Sequence, residues 1–275
     1  MNEHLIDSSK AIDFIRNKGK EAEKLKLALM LGEKSATTEK LNDHLNLQNS
    51  DGGIPLRMRE GSLSTIGPTI TFFKDFLILD LKDEIKDNLY RAVNFLLMNQ
   101  HEDGFFEEPQ SIKNFEPSIW ESPGTDPNRI YCSAIVINFL LGVGDDSYRN
   151  FIIKSIEYLS RNWRDDSGFK SYPHALWNAI PSFIAIKGEE DSISRRGLEM
   201  LQTFNLENYP SSSIVWMIES FINAGLENHR FVTRLVDALI HRQTLDGKWE
   251  SEDGEEYDAT TTLTVLLVLK KLKYI

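Results

Sequence analysis

The chain has 275 residues, of which 41% are hydrophobic and 27% charged, enough apolar side chain for a sizeable buried core. Its 42 acidic against 31 basic residues leave a net charge of -11, which repels phosphate backbones and argues against a nucleic-acid partner. Cys132 is the single cysteine, so an internal disulfide is excluded, a metal site would need His, Asp or Glu for its other ligands, and neither metal nor cofactor is expected.

The start, MNEHLIDSSK, lacks a positive stretch followed by an apolar one, and no apolar run reaches the length of a membrane span, so a cytoplasmic protein is expected. Residues 7–16 read as a one-sided helix, and 21–31 as a helix with a weaker charged side. Residues 36–47 are again one-sided, whereas ITFFKDFLILDL from Ile70 is apolar nearly all round. The alternation continues. One-sided segments cover 83–100, 147–162, 192–204 and 228–243, and all-round apolar segments begin at Ile130, Ala175, Ser213 and Thr260. A helix that is apolar on every side needs neighbours on every side, so the second set belongs inside.

No clear alternating run is bounded by hairpin turns, which predicts an all-α fold. Six inner and six outer helices alternating along residues 1–275 predict a single α/α toroid domain, interrupted by a long rim insertion near 105–128. A short phrase recurs at the ends of outer helices, as QNSDGGI from Gln48, QHEDGFF from Gln100 and QTLDGKW from Gln243, with degenerate copies near Trp163 and Asn205. Glycine after Asp suits a left-handed cap at which the chain turns inward.

This phrase resembles the Gln-x-x-Asp-Gly-aromatic repeat of the squalene cyclase and protein prenyltransferase superfamily. The resemblance implies a toroid in which the Gln and the aromatic residue tie outer helices together, and a substrate that is apolar, of prenyl type. A single ring is smaller than the paired domains of most such proteins, which implies a shorter substrate or a partner domain or subunit. The zinc pattern of the prenyltransferases is lacking, because Ile130 stands two positions before Cys132 where an Asp is needed.

Class II terpene cyclases, isomerases and lyases that start by protonating an alkene, use the middle Asp of an Asp-x-Asp-Asp phrase. Two places here are comparable. In TDPNRIYCSA the phrase falls on Asp126 to Arg129 and puts Asn128 in the acid's place; in EEYDATTTL it falls on Glu256 to Ala259 and puts Asp258 there. Asp258 is therefore the candidate proton donor, with Glu256 close by and Asp126 of the other phrase as further catalytic candidates, although Asp and Glu at a helix start also serve as caps.

Loops after the outer helices should gather at one rim. Arg57 and Arg59 are candidates there for a diphosphate or carboxylate, and Trp120 in the insertion can cover a cavity. His174 can act as a base, while Tyr131, Trp177 and Trp216 offer faces to an apolar substrate or a carbocation. A carbohydrate-active toroid, a polysaccharide lyase or glycoside hydrolase, and a non-catalytic binding module are the alternatives.

Overall fold

The computed structural model describes residues 6–275. Twelve α-helices dominate them: α1 (Ser8–Lys18), α2 (Glu21–Leu31), α3 (Thr38–Leu45), α4 (Ile66–Ile78), α5 (Lys86–Met98), α6 (Asp126–Val143), α7 (Arg149–Arg161), α8 (Pro173–Lys187), α9 (Ser192–Gln202), α10 (Ser211–Asn223), α11 (Arg230–Ile240) and α12 (Asp258–Lys271). The fold is predominantly α-helical, as the periodicity predicts. Two short antiparallel ladders are the exceptions, β1 (Ile54–Pro55) with β2 (Ser64–Thr65) and β3 (Trp163–Arg164) with β4 (Gly168–Phe169). No helix among the described residues is long and apolar enough to cross a membrane.

The two kinds of helix differ in burial as their sequences require. In α11, Phe231, Val232, Leu235, Val236 and Leu239 form one buried stripe. In α10, every residue from Ser211 to Phe221 is buried except Trp216, and in α12 every residue from Asp258 to Leu269 except Thr260. The even-numbered helices pack on one another: α4 on α6, α6 on α8, α8 on α10, α10 on α12, and α12 on both α4 and α2. Each odd-numbered helix lies against at least one of them, including α1 on α12, so the first and last helices meet.

The recurring phrase forms the same turn each time. The helices end earlier than expected, at caps Asn46, Asn99 and His241, and the glycine is the fourth residue of a following β-turn. Its N–H donates to the residue three before it, Gly52 to Asn49, Gly104 to His101 and Gly247 to Thr244. Left-handed φ values of 93°, 93° and 89° fit glycine alone without strain. A side chain is barred for a second reason: a Cβ would lie 2.3 Å from the Arg91 carbonyl oxygen, 2.4 Å from that of Lys154, or 2.4 Å from the Lys10 Cβ.

The Gln joins this turn to the next outer helix. Gln48 Nε2 donates to the Gly52 and Asn88 carbonyls, Gln100 Nε2 to those of Gly104 and Phe151, and Gln243 Nε2 to those of Gly247 and Asp7. The last apolar residue of each phrase, Ile54, Phe106 or Trp249, is fully buried. Its N–H donates to a hydroxyl in the following inner helix, Thr69, Ser133 or Thr262 at 2.8, 2.9 or 3.0 Å.

Candidate functional site

Helices α4, α6, α8 and α10 line one cavity of about 530 Å³. That volume falls within the range of small-molecule sites, about 300–1,000 Å³. Each helix contributes a stripe at spacings of three and four, which puts the residues on one face. On α6 these are Tyr131, Ile135, Asn138 and Phe139; on α8, His174, Trp177 and Asn178; on α10, Trp216, Glu219, Ser220 and Asn223. Helix α4 adds Ile70, Thr71 and Lys74.

The walls are aromatic. His174 is the hub, with ring centroids 4.4 Å from Trp177, 5.8 Å from Trp216 and 6.2 Å from Tyr131. Tyr131 meets Tyr172 edge-on at 5.9 Å. Trp120, 51% exposed, lines the mouth, and Glu252 and Asp253 line it from the loop before α12. Burial drives the His174 pKa down to about 4, so its imidazole is neutral at neutral pH. Burial also raises the hydroxyl of Tyr131 and the thiol of Cys132 far above their ordinary values, which makes neither a ready nucleophile.

Two turns deeper the stripes become polar. Lys74 Nζ donates to Glu219 Oε2 at 2.7 Å and lies 5.9 Å from the Trp216 ring centroid. Burial works against the Lys74 charge, but the Glu219 and Asp75 carboxylates outweigh it and hold its pKa above the ordinary range. Burial raises the Glu219 carboxyl, and Lys74 pulls it back. A second buried pair, Lys26 to Asp75 at 2.7 Å, stands beside the first. Asn138 Nδ2 donates to the Ser220 carbonyl at 2.8 Å and Asn223 Nδ2 to Asn138 Oδ1 at 3.1 Å, linking α6 to α10.

The insertion is fastened from within. Glu107 accepts from Arg129 Nε at 2.9 Å and from the Gly124 N–H at 2.7 Å, while the Arg129 guanidinium lies over the Phe105 ring. Glu108, 3% exposed, accepts from the Ile66 and Gly67 N–H groups at 2.7 and 3.0 Å and so caps α4 from a distant segment. Burial lifts its pKa to about 7 against these two bonds. The Asn128 amide donates to the Trp120 carbonyl at 2.6 Å and Tyr172 Oη to the Ile119 carbonyl at 2.9 Å, which fix the Trp120 segment to α6 and α8.

Of the residues singled out from sequence, Trp120, Tyr131, His174, Trp177 and Trp216 share this cavity. Asp258, Glu256, Asp126, Arg57 and Arg59 do not line it. Asp258 is buried in a different bond set, accepting from Lys248 Nζ at 2.7 Å and from the Ser251 N–H at 2.8 Å. Glu256 is exposed, and Asp126, also exposed, pairs loosely with Arg129 at 3.7 Å. Arg57 and Arg59 are both exposed, and Arg57 donates to the Glu116 carbonyl at 3.1 Å. The Phe72, Phe73 and Phe76 rings are core.

Sequence reasoning missed Lys74, Glu219, Asn138 and Asn223. The signal was there, as single charges or amides within the inner segments TFFKDF, IVINF and WMIESFIN. Among the described residues no group of three or more His, Cys, Asp or Glu side chains is placed to hold a metal ion.

No family model matches the chain, and no curated protein matches it. A crystal structure of a protein from Actinoplanes is similar in fold, with a TM-score of 0.60 and 14% sequence identity over 96% of this chain and 98% of that one.

Proposed function

We propose that this is a terpene-cyclase-like protein of a single α/α toroid, whose cavity takes an apolar small molecule of prenyl type. The observation that carries the reading is the convergence of Tyr131, His174, Trp177 and Trp216, from three inner helices, on one cavity of about 530 Å³. Such faces suit an aliphatic chain, and they would stabilise positive charge developing on it. The repeat turns and the circuit of inner-helix contacts support the toroid.

Binding is the core of the proposal. Protonation-initiated cyclisation in this cavity would draw on a carboxyl that lines it, Glu219, Glu252 or Asp253, rather than on Asp258. Tryptophan fluorescence titrated with farnesol, squalene, farnesyl diphosphate and oligosaccharides, with mass analysis of products, tests this. Saturable quenching by an isoprenoid is expected, weakened about tenfold in Trp216→Ala through loss of buried apolar contact. Saturation by an oligosaccharide with none by an isoprenoid would overturn the reading in favour of a carbohydrate ligand.

A further inference from the structure

A second pocket, of about 380 Å³, is lined by later turns of three of the same helices: Leu77 and Ile78 of α4, Leu141 and Gly142 of α6, and Ile222 and Asn223 of α10. These stand three and four positions after Lys74, Asn138 and Glu219 of the first cavity, so in each helix one face runs from the first pocket into the second. Among the described residues Asn223 alone lines both. Its side chain lies between them. Nδ2 donates at 3.1 Å to Asn138 Oδ1, in the lining of the first, and Oδ1 faces Gly142, in the lining of the second. Gly142 lies inside α6 and has no left-handed φ to require a glycine. A Cβ there would come within 2.7 Å of Asn223 Oδ1 and 3.2 Å of Asn223 Cβ, so the absent side chain makes room for the amide. Asn138, 2% exposed, is anchored in turn by its bond to the Ser220 carbonyl at 2.8 Å.

We infer that the Asn138–Asn223 amide pair is a partition that closes the floor of the cavity and sets the longest ligand it accepts, with Asn223 the residue that determines this specificity. The inference rests on the reading of the cavity as an isoprenoid site and supplies its size limit. A hydrocarbon tail that reaches this layer meets two amides bonded to each other and, beside them, the Lys74–Glu219 ion pair. Going further would separate these groups and leave buried polar atoms unpaired, which costs more than the added apolar contact returns. Beyond the layer, Leu77, Ile78, Leu141 and Ile222 again suit an aliphatic chain. The second pocket is therefore unused length, blocked by one side chain.

Isothermal titration of the full chain with geraniol, farnesol, geranylgeraniol and geranylfarnesol, alcohols that differ only in length, reads the limit. In the parent, affinity should rise with length as more apolar surface is buried, then fall by about tenfold at the first member that is too long. Asn223→Ala should tighten that member by about tenfold and leave the shorter ones within about threefold. Asn223→Leu refills the space without a hydrogen bond and should keep the parent's break, which separates filling from bonding. Should Asn223→Ala not fold, Asn223→Ser, as short but polar, serves the same comparison. A rise without a break in the parent, a break at the same member after shortening Asn223, or Asn223→Leu behaving as the shortened variants do overturns the partition while leaving an isoprenoid cavity. Binding of none of the four alcohols by the parent overturns the cavity reading with it.

Discussion

Burying a titratable side chain sets its preferred protonation state, and three residues here do so in opposite directions. Glu108 has its pKa raised to about 7 from 4.5, so the folded protein holds a proton there that the unfolded chain releases. Its contribution is complete below about pH 4.5 and is lost as pH rises through 7. His44, stacked on Phe72, and His174 are both lowered to about 4 from 6.5, chiefly by burial. Their contribution is present above pH 6.5 and is lost as pH falls through 4. Glu108→Gln keeps one acceptor oxygen, for either the Ile66 or the Gly67 N–H, and removes the titrating carboxyl. Relative to the parent, this variant should gain stability steadily from pH 4.5 to 7, read from urea midpoints; a constant difference across that window would show that Glu108 does not titrate there. The residues legible in sequence were those whose type alone carries the argument, aromatic side chains on segments with no exposed face. The bond from Lys248 to Asp258 was not legible, because a carboxylate at a helix start looks alike whether it faces a cavity or a lysine. Lys74 and Glu219 were overlooked because charges in an apolar segment read as interruptions until another segment supplies their counterions.

At the scale of the element, the turn between outer and inner helix is the unit that repeats, and each of its residues answers a separate requirement. Gln satisfies carbonyls of its own turn and of the next outer helix, the buried apolar residue fills the core, and the glycine lets two backbones touch. The degenerate copies keep the connection by other means. Near Trp163 the glycine, Gly168, has φ +71° but no backbone pressed against it, and Arg196 Nε donates to the Asp165 carbonyl. After α9 the glycine is gone, and Arg234 reaches back to the Gln202 and Phe204 carbonyls. The helices and the recurrence of the turn were legible, because periodicity and a fixed phrase are local. The hydroxyls of Thr69, Ser133 and Thr262 were not, since they lie 15, 27 and 13 residues from the N–H they serve. Gly104→Ala should cost about 3 kcal/mol, combining a strained φ of +93° with a Cβ 2.4 Å from the Lys154 carbonyl oxygen. Gly61→Ala, at φ +78° with nothing within 4 Å, should cost only about 1 kcal/mol. Equal shifts in the two urea midpoints would mean that close approach to α7 contributes nothing.

Across the whole molecule, the third full copy of the phrase does what the other two cannot, because its next outer helix is the first in the chain. Gln243 Oε1 accepts from the Asp7 N–H at 2.8 Å and its Nε2 donates to the Asp7 carbonyl at 2.9 Å, 236 residues away. Gly247 packs on Lys10, and α1 lies on α12. Thr260 and Lys270 of α12 bond to Glu23 and Met30 of α2, so α12 is tied to the first two helices. The cavity lies among α4, α6, α8 and α10, and α12 touches two of these, so its shape depends on a junction that no local stretch of sequence encodes. Gln243→Ala removes both bonds to Asp7 and leaves the Asp7 N–H unpaired, while the Asp7 carbonyl keeps the bond from the Ala11 N–H. Hydrogen exchange should then quicken in α1 and in the first turn of α12, by about tenfold, while α6 and α7 on the far side keep their protection. Uniform quickening throughout would show that the molecule opens as one cooperative unit. No change at α1 would show that packing on α12 alone holds the two ends together.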